Sequence, residues 1–136
     1  MNTRITYSYR DAGNYKADGE AIITGSANAA QEEALRYAAL HEDGADLFVP
    51  ESMGWDRASL HPWDDSMDHP YHRIESIEVT DEAATDKRNM RAIIETFRSV
   101  DWEAEGARHS GDASFTGVPG EIRTHPYGIA ASAIMT

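Results

Sequence analysis

Residues 3 to 9 alternate: Ile5, Tyr7 and Tyr9 fall on one side of an extended chain, Arg4, Thr6 and Ser8 on the other. A period of two, filled by β-branched and aromatic residues, predicts a half-buried strand. Two turn signals follow, Gly13-Asn14 and Asp18-Gly19. Ala21-Ile22-Ile23-Thr24 predicts a second strand, opening near Lys16. Strands this close in sequence pair as a hairpin with a long or bulged connection. Gly25 to Asn28 then opens a helix, with Asn28 and Gln31 spaced as an N-cap and capping box. Ala30, Ala34, Tyr37, Ala38 and His41 recur on one helical face, with Leu35 at its edge and Gly44 as the C′ residue. That pattern predicts a helix over about 29–43 and makes His41 a packed helix-face residue.

Leu47-Phe48-Val49-Pro50 reads as an apolar anchor for the core. Arg73 to Val79 alternates and predicts a third strand, with Ile77 and Val79 on one face and Ile74 on the other. Thr80-Asp81-Glu82 or Thr85-Asp86 can cap the next helix. Met90, Ile93, Ile94, Phe97 and Val100 form the cleanest helical stripe and predict a helix over about 86–100. Past Trp102, the Gly-, Ala- and Ser-rich run to Gly120 reads as a loop or arm, Glu121–Thr124 as a short edge strand, and Gly128–Thr136 as a small apolar tail.

The expected fold class is α+β: a mostly antiparallel sheet in β-β-α-loop-β-α order, two helices on one face and a loop-rich C-terminal tail. One α+β domain spans 1–102 and includes a long Asp/His loop at 45–72; 103–136 is a Gly/Ala/Ser-rich extension. A length of 136 residues suits one domain able to bury a core without metal or disulfide staples.

Composition changes this picture in two places. There is no cysteine, which excludes disulfides, thiolate catalysis and zinc–thiolate sites. Twenty-four acids against twelve bases give a net charge of -12. That surface repels nucleic acid and anionic lipid and favours a basic partner, cations or plain solubility. The N-terminus lacks an apolar signal region and no apolar run spans a bilayer. The expectation is a cytoplasmic protein that binds neither membrane nor nucleic acid directly.

Candidate chemistry concentrates in Trp55 to Glu75. This stretch has no clean period, yet holds three of the six histidines, four aspartates and two of the three tryptophans. His61, Asp68, His69 and His72 offer mixed imidazole and carboxylate ligands for a divalent transition metal. The spacing lacks the helical H-E-x-x-H context, and Pro70 argues against a helix there. His61-Pro62-Trp63, His69-Pro70-Tyr71 and His125-Pro126-Tyr127 repeat one tripeptide, each a stiff turn carrying a ring. Such rings are the usual anchors of binding surfaces, although loop packing explains them equally well. Adjacent acids such as Asp64-Asp65 do not face one another, and no nucleophile signature or phosphate loop appears. The Arg10-Asp11…Asn14-Tyr15-Lys16 turn is either structural or a ligand-facing hairpin tip.

The run Tyr7-Ser8-Tyr9-Arg10-Asp11-Ala12-Gly13-Asn14-Tyr15-Lys16 resembles a group of small bacterial proteins whose first strand ends in Tyr-Arg-Asp-Ala-x-Asn-Tyr-Lys. The likeness continues at Phe48-Val49-Pro50-Glu51, at Asp68-His69-Pro70-Tyr71-His72 and through the helix ending near Phe97. Those proteins carry no assigned activity, so the resemblance implies no catalytic residue.

Two functional expectations follow. The first is an acidic, non-enzymatic interaction protein, an inhibitor type that occupies the basic, nucleic-acid-binding surface of a protein partner without any cofactor. Its contacts would be Trp55, Trp63, Asp64, Asp65, Asp68, Tyr71 and Tyr127. The alternative is a small metal-binding protein or metal-dependent enzyme built on His61, Asp68, His69 and His72. A homodimer exchanging its tail is a third, duller expectation.

Overall fold

The computed structural model of the protein describes residues 1–59 and 62–110. Strands β1 (Asn2–Arg10) and β2 (Lys16–Thr24) precede helix α1 (Ala29–Ala38). Strands β3 (Leu40–Glu42) and β4 (Ala45–Phe48) follow, then a 3-10 turn at Pro50–Met53. Strands β5 (His72–Thr80) and β6 (Asp86–Asn89), then helices α2 (Met90–Ser99) and α3 (Trp102–Arg108), complete the order. The six strands form one sheet, β3-β4-β5-β1-β2-β6, antiparallel at every step except β2–β6. The protein is therefore α+β with a mostly antiparallel sheet. No helix among the described residues is long and apolar enough to cross a membrane.

The expected β1–β2 hairpin forms, in register from Thr3↔Ile23 to Arg10↔Lys16. Its loop closes on itself, with the Asp11 carboxylate accepting the Tyr15 N–H at 3.0 Å. The alternation puts Ile5, Tyr7 and Tyr9 in the core beside Ala21 and Ile23. Gly19 lies opposite Tyr7, and a Cβ there would come within 2.6 Å of the Tyr7 ring, so the close approach needs glycine.

Four expectations need correction. Ile74 does not oppose Ile77 and Val79. The β1–β5 register slips between Thr6↔Ser76 and Tyr7↔Ile74, so Glu75 is an extra residue on β5. A bulge of one residue flips the phase of a period-two pattern. It thus brings Ile74, opposite Tyr7, onto the face of Ile77, opposite Ile5.

The first helix stops at Ala38 rather than 43. Asp43 (φ 51°) and Gly44 (φ 77°) both lie in the left-handed region, the backbone of a two-residue hairpin turn. Gly44 turns β3 into β4 instead of capping a helix, and His41 is an exposed strand residue. The buried residue of α1 is Leu35, while Tyr37 stands 82% exposed. Arg36 ties the helix to the sheet through Asp46 (3.1 Å) and the carbonyls of Ile74 (3.4 Å) and Glu75 (3.3 Å), the latter being the bulge residue.

The second helix opens at Met90, capped by the Asn89 side chain, because 86–89 pair with β2 as a strand. Its Met90, Ile93, Ile94 and Phe97 are buried, as the stripe predicts. Lastly, 102–108 form a third helix rather than an arm, capped by Asp101. Trp102 anchors it: the ring meets Phe97 edge-on at 4.9 Å, and its N–H donates to the Ala38 carbonyl at 3.0 Å. Alanine and glycine content suggested a loop, but one buried indole supplies the apolar area that docks the segment. The strand expected at 121–124, His125, Tyr127 and the tail exchange lie outside the described residues.

All three helices feed one cluster: Leu35 from α1, Ile93, Ile94 and Phe97 from α2, and Trp102 from α3 join Ile5, Tyr7, Phe48 and Val49.

Candidate functional site

The Trp55–Glu75 stretch divides into residues that complete the core and residues that leave it. Trp55 belongs to the first group, against expectation. Its ring stacks on Tyr7 (6.1 Å, 10° between planes) and meets Phe48 edge-on at 5.9 Å. Its N–H donates to Asp86 Oδ2 at 2.8 Å. Asp86 also accepts Arg88, whose guanidinium holds the carboxyl down to about 2 despite partial burial. The Tyr7 hydroxyl donates to the Asp56 carbonyl at 2.6 Å, and burial, then the charge of Asp56, pushes it up to about 12. An indole whose one polar atom finds a carboxylate carries no cost for going inward.

His72 follows the same logic. It opens β5 opposite Phe48 and is 1% exposed. Its Nδ1–H donates to the Pro70 carbonyl at 3.1 Å, and Nε2 accepts the Ala58 N–H at 3.0 Å. Burial pushes the ring down to about 4, so it is neutral at pH 7. The single lone pair of that tautomer is spent on Ala58. His69 is exposed but similarly engaged: Nε2–H donates to the Arg10 carbonyl at 2.8 Å and Nδ1 accepts the Tyr71 N–H at 3.2 Å. Asp68 is buried; its carboxylate accepts the Tyr9 hydroxyl and the Asp64 N–H (2.8 Å). Burial, then the hydrogen bond to Asp68, raises the Tyr9 hydroxyl well above its ordinary range.

Asp68, His69 and His72 thus do not converge on one point among the described residues. Three of the four expected metal ligands are committed to the protein's own groups, and His61 lies outside the described residues. Among the described residues no three His, Asp or Glu side chains converge as ligands. Pro70 is the physical reason: it keeps the chain extended, so His69 and His72 meet different surroundings.

Trp63, Asp64 and Asp65 do come together, and they face outward. Asp64 begins a tight turn: its carbonyl accepts the N–H of Met67 (2.9 Å) and Asp68 (2.8 Å), and its carboxylate caps Ser66 N–H (2.9 Å) and Oγ (2.7 Å). The Trp63 N–H donates to Asp65, and the Arg57 guanidinium lies 5.1 Å over the Trp63 ring. The turn is fastened to the β1–β2 loop by Ala12 N–H to the Met67 carbonyl at 2.9 Å. Tyr71 departs from this group. It is half-buried, donates to the Trp102 carbonyl at 3.1 Å and fills the space over Gly106, where any Cβ would overlap it. Burial, then Glu103, raises its hydroxyl to about 12. Tyr127 lies outside the described residues.

No protein-family model, curated protein or solved structure matches this chain.

A polar cluster between the 3-10 turn and α3 went unforeseen. Ser52 Oγ donates to Glu105 Oε1 at 2.7 Å, and His109 Nε2 stands 3.4 Å from the same oxygen. The His109 contact leads in holding Glu105 down to about 2. Arg57 joins the cluster to Glu51 (2.6 Å) and to the His109 carbonyl (2.6 Å). The carboxylate sits in the middle and accepts the hydrogen bond of the Ser52 hydroxyl, with His109 on the carboxylate. The arrangement staples α3 to the body. The four-residue spacing of Glu105 and His109 is its one sequence signal.

Proposed function

We propose that this is a non-enzymatic interaction protein, and that the turn Trp63–Ser66 is where a basic protein partner docks. The observation that carries the reading is the bracing of an exposed acidic turn. Asp64 and Asp65 face solvent beside Trp63, while Asp68, buried beneath, pins the turn to Tyr9. A loop already held in one conformation loses little entropy on binding. An indole beside carboxylates offers an apolar anchor with charges that steer a cationic partner. The net charge of -12 adds long-range attraction for such a partner. A groove that binds nucleic acid is one surface of that kind. Trp55, Asp68 and Tyr71 then serve the fold beneath the interface instead of touching the partner.

The test is calorimetric titration with a synthetic arginine-rich peptide across a salt series. A Trp63→Ala, Asp64→Asn, Asp65→Asn variant should weaken binding about tenfold or more. A charge-matched Glu33→Gln, Glu78→Gln variant should change it by no more than about twofold. Equal losses in both variants, or affinity indifferent to salt, would remove the turn from consideration.

A further inference from the structure

One end of the sheet carries a groove that neither the acidic turn nor the core explains. It has a volume of about 390 Å³ and is lined by the end of β1 (Ser8, Arg10), the start of β5 (Arg73), β4 (Leu47) and the approach to β5 (His69, Tyr71). That size is within the range of small-molecule sites. The register explains which side it opens on. Arg73 is the cross-strand partner of both Ser8 and Leu47, so the three share one face. Tyr7, Ile74, Phe48 and His72 are their sequence neighbours and take the opposite, core face.

Two of the bases in this groove have no carboxylate partner among the described residues. Arg4, Arg36, Arg57, Arg88, Arg91 and Arg108 each pair with a carboxylate, while Arg98, on an exposed face of α2, does not among the described residues. Arg10 bonds only the carbonyl (3.3 Å) and side-chain oxygen (3.2 Å) of Asn14, and Arg73 makes no ion pair among the described residues. In a chain with twice as many acids as bases, two guanidiniums that have no carboxylate partner among the described residues line one cavity. Two rings line the same groove. The His69 and Tyr71 rings stack at 6.4 Å and 27°, His69 held by the Arg10 carbonyl and Tyr71 by that of Trp102. Leu47 adds an apolar surface, while Glu42 and Asp43 stand at the same groove and oppose a second negative charge.

We infer that this groove binds a small monocarboxylate with an apolar body, its carboxylate on Arg10 and Arg73 and its body against Leu47, His69 and Tyr71. Guanidinium is the side chain best shaped for a carboxylate. A dianion such as phosphate gains the same contacts but meets the Glu42 and Asp43 carboxylates and the overall negative field.

Amide and arginine Nε–H shifts of the full chain, titrated with benzoate, test this. Benzoate should move Arg10, Leu47, Tyr71 and Arg73 saturably, with Kd on the order of 1 mM for so small a ligand. Benzyl alcohol and inorganic phosphate at matched ionic strength should leave them unmoved. An Arg10→Gln, Arg73→Gln variant should lose about tenfold or more in affinity while melting at the wild-type temperature, because neither guanidinium holds a carboxylate in the fold. The Trp63→Ala, Asp64→Asn, Asp65→Asn variant should bind benzoate unchanged, which separates this site from the docking turn. Absence of saturable shifts with benzoate would overturn the inference. So would equal shifts with benzyl alcohol or phosphate, or unaltered benzoate affinity in the arginine variant.

Discussion

Trp55 and Trp63 belong to one short segment, and each directs its indole N–H at an aspartate, yet they occupy opposite regions of the molecule. Trp55 is buried between Tyr7 and Phe48, and its aspartate, Asp86, comes from β6. Trp63 is half-exposed, its aspartate is Asp65 two residues on, and its ring is covered on one side by Arg57. The histidines also divide into inner and outer, but by other partners: His72 is sealed in by Ala58 and Pro70 of its own segment, while the exposed His69 reaches the Arg10 carbonyl at the end of β1. The difference teaches that a polar ring goes inward only where each of its polar atoms finds a partner there. Trp55, satisfied by a distant strand, is core; Trp63, satisfied within its own turn, stays at the surface.

The largest test of this division is removal of the inner indole. Trp55→Ala should cost about 3–5 kcal/mol in urea unfolding, the range for a buried aromatic whose cavity cannot collapse. A loss below about 1 kcal/mol would mean that Trp55 is not core.

Acid should expose the inner region next. The unfolded chain takes a proton at His72 near 6.5, whereas the folded ring resists until about 4. The unfolded state therefore binds more protons in that window, and stability falls as pH falls from 6.5 towards 4, by roughly 3 kcal/mol at most. Above 6.5 this contribution is fully present. Asp86 and Glu105, both held down to about 2, contribute fully above their ordinary values of 3.8 and 4.5 and lose that contribution as pH falls from there towards 2. Imidazole titration by NMR should show His72 neutral at pH 5; a midpoint near 6.5 would place it in water.

The smallest effect belongs to the outer indole. Trp63→Ala removes one guanidinium–ring contact at a surface site, so it should cost about 0.5–1 kcal/mol. A cost matching that of Trp55→Ala would erase the distinction and make the turn part of the core.

Much of the scaffold was legible along the chain. The alternation of residues 3–9, the Asn28/Gln31 capping box, the Phe48-Val49 anchor and the Met90–Phe97 stripe each became the element that they announce. The candidate site was legible only as a place. Its residue types pointed to metal or contact chemistry, but nothing local tells an inward imidazole from an outward one. The β3–β4 hairpin hid because Ala-rich sequence mimics helix until Asp43-Gly44 takes positive φ. The α3 helix hid because one buried indole, not a stripe, holds it.

Taken alone, the amino-acid order determined those features whose causes are short-range: strand alternation, helix period, caps, the absence of thiols and the excess of acid. Tertiary structure decided the bulge at Glu75, the burial of Trp55 and His72, and the gathering of Arg10 and Arg73 around one groove. The physical reason is separation. A polar atom goes inward only when a partner waits there, and here the partners lie on other elements: Ala58 for His72, Asp86 for Trp55, Tyr9 for Asp68.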